Sequence, residues 1–370
     1  MPPRTPASTA PSRKTPAPRA PRSPRRRPSR TSGRSAAFSP LRLLFKLIVL
    51  VAAVAGLAAA AVAWMPIPLA SSPLDFHIER GSSLKSVARQ VNEAGVKVPP
   101  LALEMLGRVT RSASMIKAGS YEVHEGVTLW ALLAKLTRGD TSQGELAVIE
   151  GWTFRQLRDK LDAHPDLRHD TAGLSDADLL RRLEIPESHP EGLFLPDTYL
   201  FDKRSSDIEL LRRAYKAMQT RLAQEWPLRD AGLPYRSPYE ALIMASIVEK
   251  ETGRAEDRPM VAAVFVNRLR RGMLLQTDPS VIYGMGSAFE GNIRRRDLLT
   301  DTPYNTYTRP GLTPTPIALP GTAALRAALH PAASEALYFV ARGDGSSQFS
   351  ATLDEHNQAV NRYILKRAPQ

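Results

Sequence analysis

The stretch YEALIMASIVEKET, residues 239–252, has the apolar periodicity of a helix. On a projection of about 100° per residue, four apolar side chains share one arc of about 140°. They are Ile243, Met244, Ile247 and Val248. Glu251 falls close to the centre of this arc, whereas Glu249 falls on another side, near Leu242 and Ala245. The stretch therefore predicts a helix with one carboxylate, Glu251, on its apolar side.

A carboxylate on an apolar stripe is a candidate general acid. Desolvation raises its pKa, and a carboxylic acid that stays protonated near neutral pH can donate a proton. The plainer interpretation is that Glu251 ends the helix in solvent, because Thr252 and Gly253 follow it. The helix dipole disfavours a carboxylate at this end, although Arg254 could offset that cost. Both interpretations stay open on the residues alone.

Several other chemistries find no support in the sequence. It contains no H-E-x-x-H, G-x-S-x-G, P-loop or G-x-G-x-x-G motif. The chain has no cysteine, which excludes disulfides, thiolate nucleophiles and cysteine metal sites. Its seven histidines show no metal-ligand spacing, so no metal site is expected. Carboxylate chemistry is what remains.

The region 239–331 is rich in groups that can bond hydroxyls and stack on sugar rings. They include Gln276, Asp278, Tyr283, Asn305, Thr306 and Tyr307. Glycines and prolines surround them, in loop-like sequence that could wall a cleft. The alternative is a set of polar loops that cap a core, and composition alone slightly favours that alternative.

Length and pattern predict two folded domains of the α+β class. In residues 75–147 we expect a strand at 75–79, a helix from Leu84 capped at Ser83, a helix at 101–109, a strand near 117–123 and a helix capped by Thr128. This unit resembles a LysM-like module, a small peptidoglycan-binding fold, and a structural spacer is the alternative. In residues 148–370 we expect helices at 208–225, 239–252, 261–271, 322–329 and 354–366, a strand at 337–342, and loops from 272 to 320.

The net charge of +13 is concentrated in the first 46 residues, which hold twelve basic residues and no acidic one. The remainder has 38 basic and 37 acidic residues, so a basic groove for nucleic acid is not expected. Residues 1–46 are rich in Pro, Arg and Ser, and predict a disordered cytoplasmic tail. A tail that binds nucleic acid or anionic lipid is the alternative to one that only sets topology.

Residues 47–65 contain no charge and approach the ~20 residues that a membrane-spanning helix needs. The basic residues before them predict a cytoplasmic N-terminus and an extracytoplasmic body. The triplet 61–63, Ala-Val-Ala, could be a cleavage site, but the apolar run exceeds a signal peptide's usual 7–15 residues, which favours an uncleaved single-pass anchor. Residues 66–74 hold three prolines and predict a linker.

Five ordered segments resemble the MltG (YceG-like) family of endolytic murein transglycosylases. The first is ASIVEKET at 245–252. The others are VNRL at 266–269 leading to LQTDPSVIYG at 275–284, YNTY at 304–307, HP at 330–331 followed by LYFV at 337–340, and EG at 191–192 followed by PDTY at 196–199. The resemblance covers about residues 75–365 and is strongest from 191 onward. The basic tail lies outside the family pattern.

This resemblance implies that Glu251 is the catalytic acid, with Glu249 as the fallback. The implied reaction cleaves the bond between N-acetylmuramic acid and N-acetylglucosamine within nascent glycan strands, leaves a 1,6-anhydro ring, uses no water, and needs no cofactor or metal. The implied setting is the inner membrane, beside peptidoglycan synthases. The expected substrate contacts are Gln276, Asp278, Tyr304, Asn305 and Tyr307. A muramidase that uses Asp278 as second carboxylate, and a non-catalytic peptidoglycan-binding scaffold, are the rival interpretations.

Overall fold

A computed structural model describes residues 40–365 and shows a mixed α+β protein that is 48% helical. The first helix, α1, spans Pro40–Trp64 and is long and apolar enough to cross a membrane. It begins before the predicted span, so residues 40–46 are helical and are not part of a disordered tail. Leu41, Leu43 and Leu44 favour this extension, because leucine is a good helix former. The rest of the predicted tail, residues 1–39, lies outside the described residues.

The chain divides after Ala60 into two units, and the second contains two hydrophobic cores. The smaller core belongs to β1 (Leu74–Ile78), α2 (Leu84–Glu93), α3 (Pro100–Val109), β2 (Gly119–Val123) and α4 (Leu129–Arg138). Strands β1 and β2 pair antiparallel, with Leu74 opposite Val123. The predicted caps are confirmed: Ser83 accepts the Ser86 N–H, and Thr128 accepts the Ala131 N–H. We call this part of the chain the small domain.

Residues 66–73, predicted as a linker, pack against the small domain instead. Ile67 is buried, and its N–H donates to the Val127 carbonyl at 2.8 Å. The Ala70 N–H donates to the Gly95 carbonyl at 3.0 Å. Burial of the apolar residues between the prolines stabilises this attachment. The number of prolines, on which the linker prediction rests, does not reveal that burial. The chain that leaves α1 is therefore tied directly to the small domain.

The larger core begins at β3 (Gln143–Ala147), which pairs antiparallel with β4 (Thr198–Asp202). The sequence placed β3 in the first domain, but its Leu146 is buried in the larger core. The other strands are β5 (Tyr338–Ala341) and β6 (Ser347–Ser350), which pair with each other. The helices of this large domain are α5 (Phe154–Asp162), α6 (Asp176–Leu183), α7 (Asp207–Glu225), α8 (Pro238–Glu251), α9 (Arg258–Arg270), α10 (Asp278–Met285), α11 (Arg295–Leu299), α12 (Thr322–Leu329) and α13 (Leu353–Tyr363).

Helices α10 and α11 lie where the sequence predicted only loops. Pro279 occupies the first turn of α10, where a missing N–H costs nothing, and Gly286 follows its last residue. A dense run of prolines and glycines therefore marks the ends of short helices here. This places residues 276–278 at a helix N-terminus.

Helix α8 is the centre of the large domain and packs against α9, α10 and α12. Its eight residues Ala241–Val248 are all buried, so it has no solvent-facing side over this length. The predicted single apolar arc is therefore only part of a helix that is buried all round. The last residue of α8 is Glu251, and Thr252 leaves the helix in an extended conformation.

The small and large domains are joined by polar contacts around Lys203, which follows β4. Its ammonium lies 3.1 Å from Asp75 and 3.4 Å from Glu122. The hydroxyl of Ser120 donates to the Lys203 carbonyl at 2.5 Å. These contacts connect β1 and β2 to the end of β4, which limits rotation between the two domains.

Gly192 packs closely against the loop that precedes α12. It has a φ of +79°, and an added Cβ would lie 2.4 Å from the Cβ of Pro316. Gly173 has a similar φ of +73° and open space at its Cβ position. We expect Gly173→Ala to lower the unfolding free energy by about 1–2 kcal/mol, the cost of left-handed backbone. Gly192→Ala adds overpacking and should cost about 2–5 kcal/mol. Chemical denaturation of both variants measures the difference, and equal losses would contradict the close approach.

Candidate active site

Glu251 lies at the C-terminal end of α8 with its carboxylate turned toward α10. The hydroxyl of Thr277 donates a hydrogen bond to its Oε1. Burial raises the pKa of Glu251 to about 7, the Thr277 hydrogen bond and the Arg268 charge oppose that rise, and the Asp278 charge adds to it. The helix therefore delivers a carboxyl group that can be protonated or ionised near neutral pH.

Thr277 is held by a buried hydroxyl network. Its N–H donates to the Thr306 hydroxyl at 3.0 Å, and its carbonyl accepts from Ser280 at 2.8 Å. Ser280 and Thr306 lie 2.9 Å apart at their hydroxyl oxygens. Thr277 precedes α10, but its side chain does not cap that helix and is directed to Glu251. The network therefore fixes the Thr277 hydroxyl that contacts the carboxylate.

Arg268 is a charged residue of the site that the sequence interpretation missed. It is buried in the last turn of α9, where Nε donates to the Leu337 carbonyl at 2.7 Å and Nη1 to the Leu275 carbonyl at 2.8 Å. Its positive charge favours the ionised form of Glu251. A signal was present, because Arg268 lies on the apolar side of its helix with Val264. It is the same signal that singled out Glu251.

Three predicted site residues lie in the segments around Thr277 and Thr306. Gln276 is exposed, has a φ of +52°, and donates its N–H to the Thr306 carbonyl at 3.1 Å. Asp278 is exposed and accepts the Tyr307 hydroxyl at 2.5 Å. Burial, and then Asp278, raise the pKa of Tyr307 above its usual range. Gln276, Asp278 and Tyr307 therefore cluster beside Glu251.

The other two predicted contacts have different surroundings. Asn305 is fully buried, and its amide nitrogen donates to the backbone carbonyls of Leu298 and Thr300 at 3.0 and 2.7 Å. Its Oδ1 accepts the Tyr307 N–H at 2.8 Å. Asn305 thus faces the protein interior and shapes the loop that carries Tyr307. The hydroxyl of Tyr304 lies 3.0 Å from that of Thr315.

Glu249, the fallback candidate, is engaged in holding backbone. Its Oε2 accepts the Gly321 N–H at 2.9 Å, and its Oε1 lies 3.6 Å from Arg258. Burial raises the pKa of Glu249, and the Gly321 hydrogen bond and the Arg258 charge oppose that rise. These contacts tie α8 to the start of α12 and to α9, so Glu249 has a structural explanation.

Glu191 is a second carboxyl whose pKa burial raises to about 7. Both of its oxygens accept the Phe154 N–H, at 2.9 and 3.1 Å. Phe154 is the first residue of α5, so Glu191 satisfies an unpaired donor at a helix N-terminus. In the sequence, Glu191 is only part of the EG segment at 191–192, and its hydrogen bonds to Phe154 give it a structural role.

A possible metal-ligand group lies elsewhere in the large domain. Asp162, His169 and Asp207 bring one ligand atom each within 4.8 Å of one another. The Asp207 carboxylate, however, already accepts hydrogen bonds from Thr171 and Ile208. These residues lie at the end of α5, after it, and at the start of α7, whereas Glu251 ends α8.

Comparisons with known proteins assign the family. The sequence model of the YceG-like family matches residues 76–362, and the chain belongs to this family. It is 32% identical over 315 residues to the endolytic murein transglycosylase of Bacillus subtilis, covering 80% of this chain and 87% of that protein. It is 26% identical over 321 residues to the protein of that name from Streptococcus pneumoniae, covering 78% of this chain and 58% of that protein. A crystal structure of a YceG-like protein from Listeria monocytogenes aligns with a TM-score of 0.49 at 30% identity, over 78% of this chain and 99% of that one.

The raised pKa of Glu251 predicts a pH-dependent stability change in Glu251→Gln. With a pKa of 4.5 when unfolded and about 7 when folded, the wild type loses stability as pH rises from 4.5 through 7. The variant has no ionisable group at this position. Its free energy of unfolding relative to the wild type should therefore increase by about 3 kcal/mol between about pH 4 and pH 8. Denaturation of the full chain in detergent at both pH values measures this. Glu335→Gln, at an exposed position, is the control. If the stability difference between Glu251→Gln and the wild type did not vary with pH, the burial of Glu251 would be contradicted.

Proposed function

We propose that this protein is a membrane-anchored lytic transglycosylase that cuts peptidoglycan glycan strands internally, with Glu251 as its catalytic acid. The observation that carries the proposal is the carboxyl of Glu251, whose pKa is about 7 and which the Thr277 hydroxyl holds in place. Membership of the YceG-like family and relatives named endolytic murein transglycosylase supply the substrate class.

The first step is protonation of the leaving group. Protonated Glu251 donates its proton to the oxygen that links C1 of N-acetylmuramic acid to N-acetylglucosamine. The C1–O bond then breaks, and the N-acetylglucosamine side leaves with a new hydroxyl. A carboxyl with a pKa near 7 retains enough protonated form at neutral pH for this step.

The second step closes the ring and restores the acid. The 6-hydroxyl of the same muramic residue attacks C1, and its proton passes to the ionised Glu251 carboxylate. Arg268 and Thr277 stabilise that carboxylate while it is charged. Atoms balance without water, so the product carries a 1,6-anhydro end and the enzyme is a lyase.

The cluster beside Glu251 supplies the proposed substrate contacts. Gln276 and Asp278 are exposed on the segment that enters α10, and Tyr307 can stack on a sugar ring. Tyr304 and Asn305, which the resemblance also suggested, are proposed to act by shaping the loop that presents Tyr307, because their polar atoms bond within the protein.

One observation favours a hydrolase as the second candidate. Asp278 lies near enough to raise the pKa of Glu251 by its charge, and glycoside hydrolases use two carboxyl groups about 5–9.5 Å apart. In that reaction Asp278 would activate water, and the product would carry a reducing muramic end. The Tyr307 hydroxyl donates a hydrogen bond to Asp278. This contact favours a positioning role for Asp278 in the lyase reaction.

The setting that we propose is the inner membrane. Helix α1 is the single-pass anchor, the basic N-terminal residues are cytoplasmic, and residues 66–370 face the space that holds peptidoglycan. We further propose that the small domain is LysM-like, since its order of strand, helix, helix and strand fits that module. Release of nascent strands would place the enzyme beside peptidoglycan synthases.

Glu251→Gln should slow cleavage by about 10²–10⁴-fold, because the amide cannot donate the required proton. Mass spectrometry of purified strands digested by each protein measures rate and end groups together. Glu249→Gln is the matched control, since an amide can still accept the Gly321 N–H. Unchanged cleavage by Glu251→Gln would overturn Glu251 as the acid. No cleavage by the folded wild type would favour the non-catalytic scaffold, and reducing ends from the wild type would favour the hydrolase.

Thr277→Val should move the alkaline limb of the kcat/KM profile to higher pH. Protonated Glu251 is the active form, so activity falls as pH rises through its pKa of about 7. Without the Thr277 hydroxyl the ionised form is less favoured, the pKa rises, and the fall comes later. Thr302→Val is the control, because its buried hydroxyl has no hydrogen-bond partner in the described part of the chain. An unshifted limb in Thr277→Val would contradict Glu251 as the titrating acid.

A further inference from the structure

The outward face of α3 is apolar. Leu101, Met105 and Val109 are 64%, 56% and 78% exposed, and their spacing of four residues places them on one arc of about 80°. Leu103 and Gly107, which are buried in the small domain, lie on the opposite side of the helix. A helix on a protein surface ordinarily turns charged or polar residues outward, so this face needs a partner.

Basic residues accompany this face in the sequence. Within residues 100–117, Arg108, Arg111 and Lys117 outnumber the one acidic residue, Glu104, which pairs with Arg108, and Met115 is 58% exposed. Apolar side chains flanked by Lys and Arg are typical of segments that lie in the interface of an anionic bilayer. We call the set of Leu101, Met105, Val109 and Met115 the α3 surface.

The small domain is tied directly to the end of the membrane helix. The ring of Trp64, the last residue of α1, stacks on Trp130 of α4 at 6.0 Å, and α4 packs against α3. Ile67, three residues further on, is already buried in the small domain. Three residues span at most about 10 Å. If α1 crosses the membrane, the small domain therefore begins within about 10 Å of the end of the membrane-spanning helix.

We propose that the α3 surface binds the membrane interface, with its apolar side chains among the acyl chains and the neighbouring basic residues Arg108 and Arg111 at anionic phospholipid headgroups. This rests on the proposed role of α1 as anchor. Because Lys203 ties the small domain to the large one, the contact would also fix the height of Glu251 above the membrane. The bilayer is favoured over a protein partner because the direct connection to α1 already brings it within reach.

The chain has no cysteine, so one introduced cysteine carries a single spin label. We would place it by Met105→Cys in the full chain, reconstituted in phosphatidylcholine–phosphatidylglycerol vesicles. The control is Asp140→Cys, an exposed position beyond the far end of α4, about 15 Å from Trp130 along that helix. Collision with oxygen, which partitions into lipid, is compared with collision with a water-soluble nickel chelate.

We expect the ratio of oxygen to nickel collisions to be several-fold higher at position 105 than at position 140. Adding Arg108→Gln and Arg111→Gln should reduce the ratio at 105 in these vesicles. A chain that floats with the vesicles but shows equal ratios at both positions would overturn the α3 contact and leave the anchor intact. A chain that fails to float with them would contradict the anchor and the contact together, while cleavage by the detergent-solubilised chain would still support the enzymatic proposal.

Discussion

The burial of α8 is the constraint on which the rest of the large domain depends. Eight consecutive residues of this helix are buried, and the helix packs against α9, α10 and α12. Glu251 is the last residue of the helix and lies at the rim of the core, where burial weakens the stabilisation of its charge by water. A carboxylate in such a place must be protonated or must receive hydrogen bonds and positive charge.

The neighbours of Glu251 favour neither its protonated form nor its ionised form strongly. Burial and Asp278 favour the protonated form, whereas Thr277 and Arg268 favour the ionised form. A group that gives a proton and then takes one back needs this balance, because a strongly stabilised form would act in only one direction. Thr277 is fixed by Ser280 and Thr306, so a structural hydroxyl network sets a chemical property.

The two carboxylates of α8 show why position within a helix is not enough to assign a role. Glu249 and Glu251 are two residues apart, and burial raises the pKa of both. Glu249 bonds to the Gly321 backbone and pairs with Arg258, so its contacts serve packing. Glu251 bonds to a side chain at the start of a helix that also bears exposed polar groups. The partners, and not the burial, distinguish Glu249 as a structural carboxylate from Glu251 as the proposed catalytic acid.

The sequence alone determined the helix at 239–252, its carboxylate, the caps at Ser83 and Thr128, and the apolar segment before the body, because these follow from local periodicity and capping. It did not reveal the helices within the Pro- and Gly-rich region, the pairing of β3 with β4, or the attachment of residues 66–73, since each depends on burial against distant residues. For the site, Glu251 was visible as a charge on an apolar stripe. The packing of α8, α9 and α10 decided that Thr277 contacts Glu251 and that the Arg268 charge opposes the rise of its pKa. Only the tertiary structure turned Asn305 inward, because hydrogen-bond partners distant in sequence meet only when the core forms.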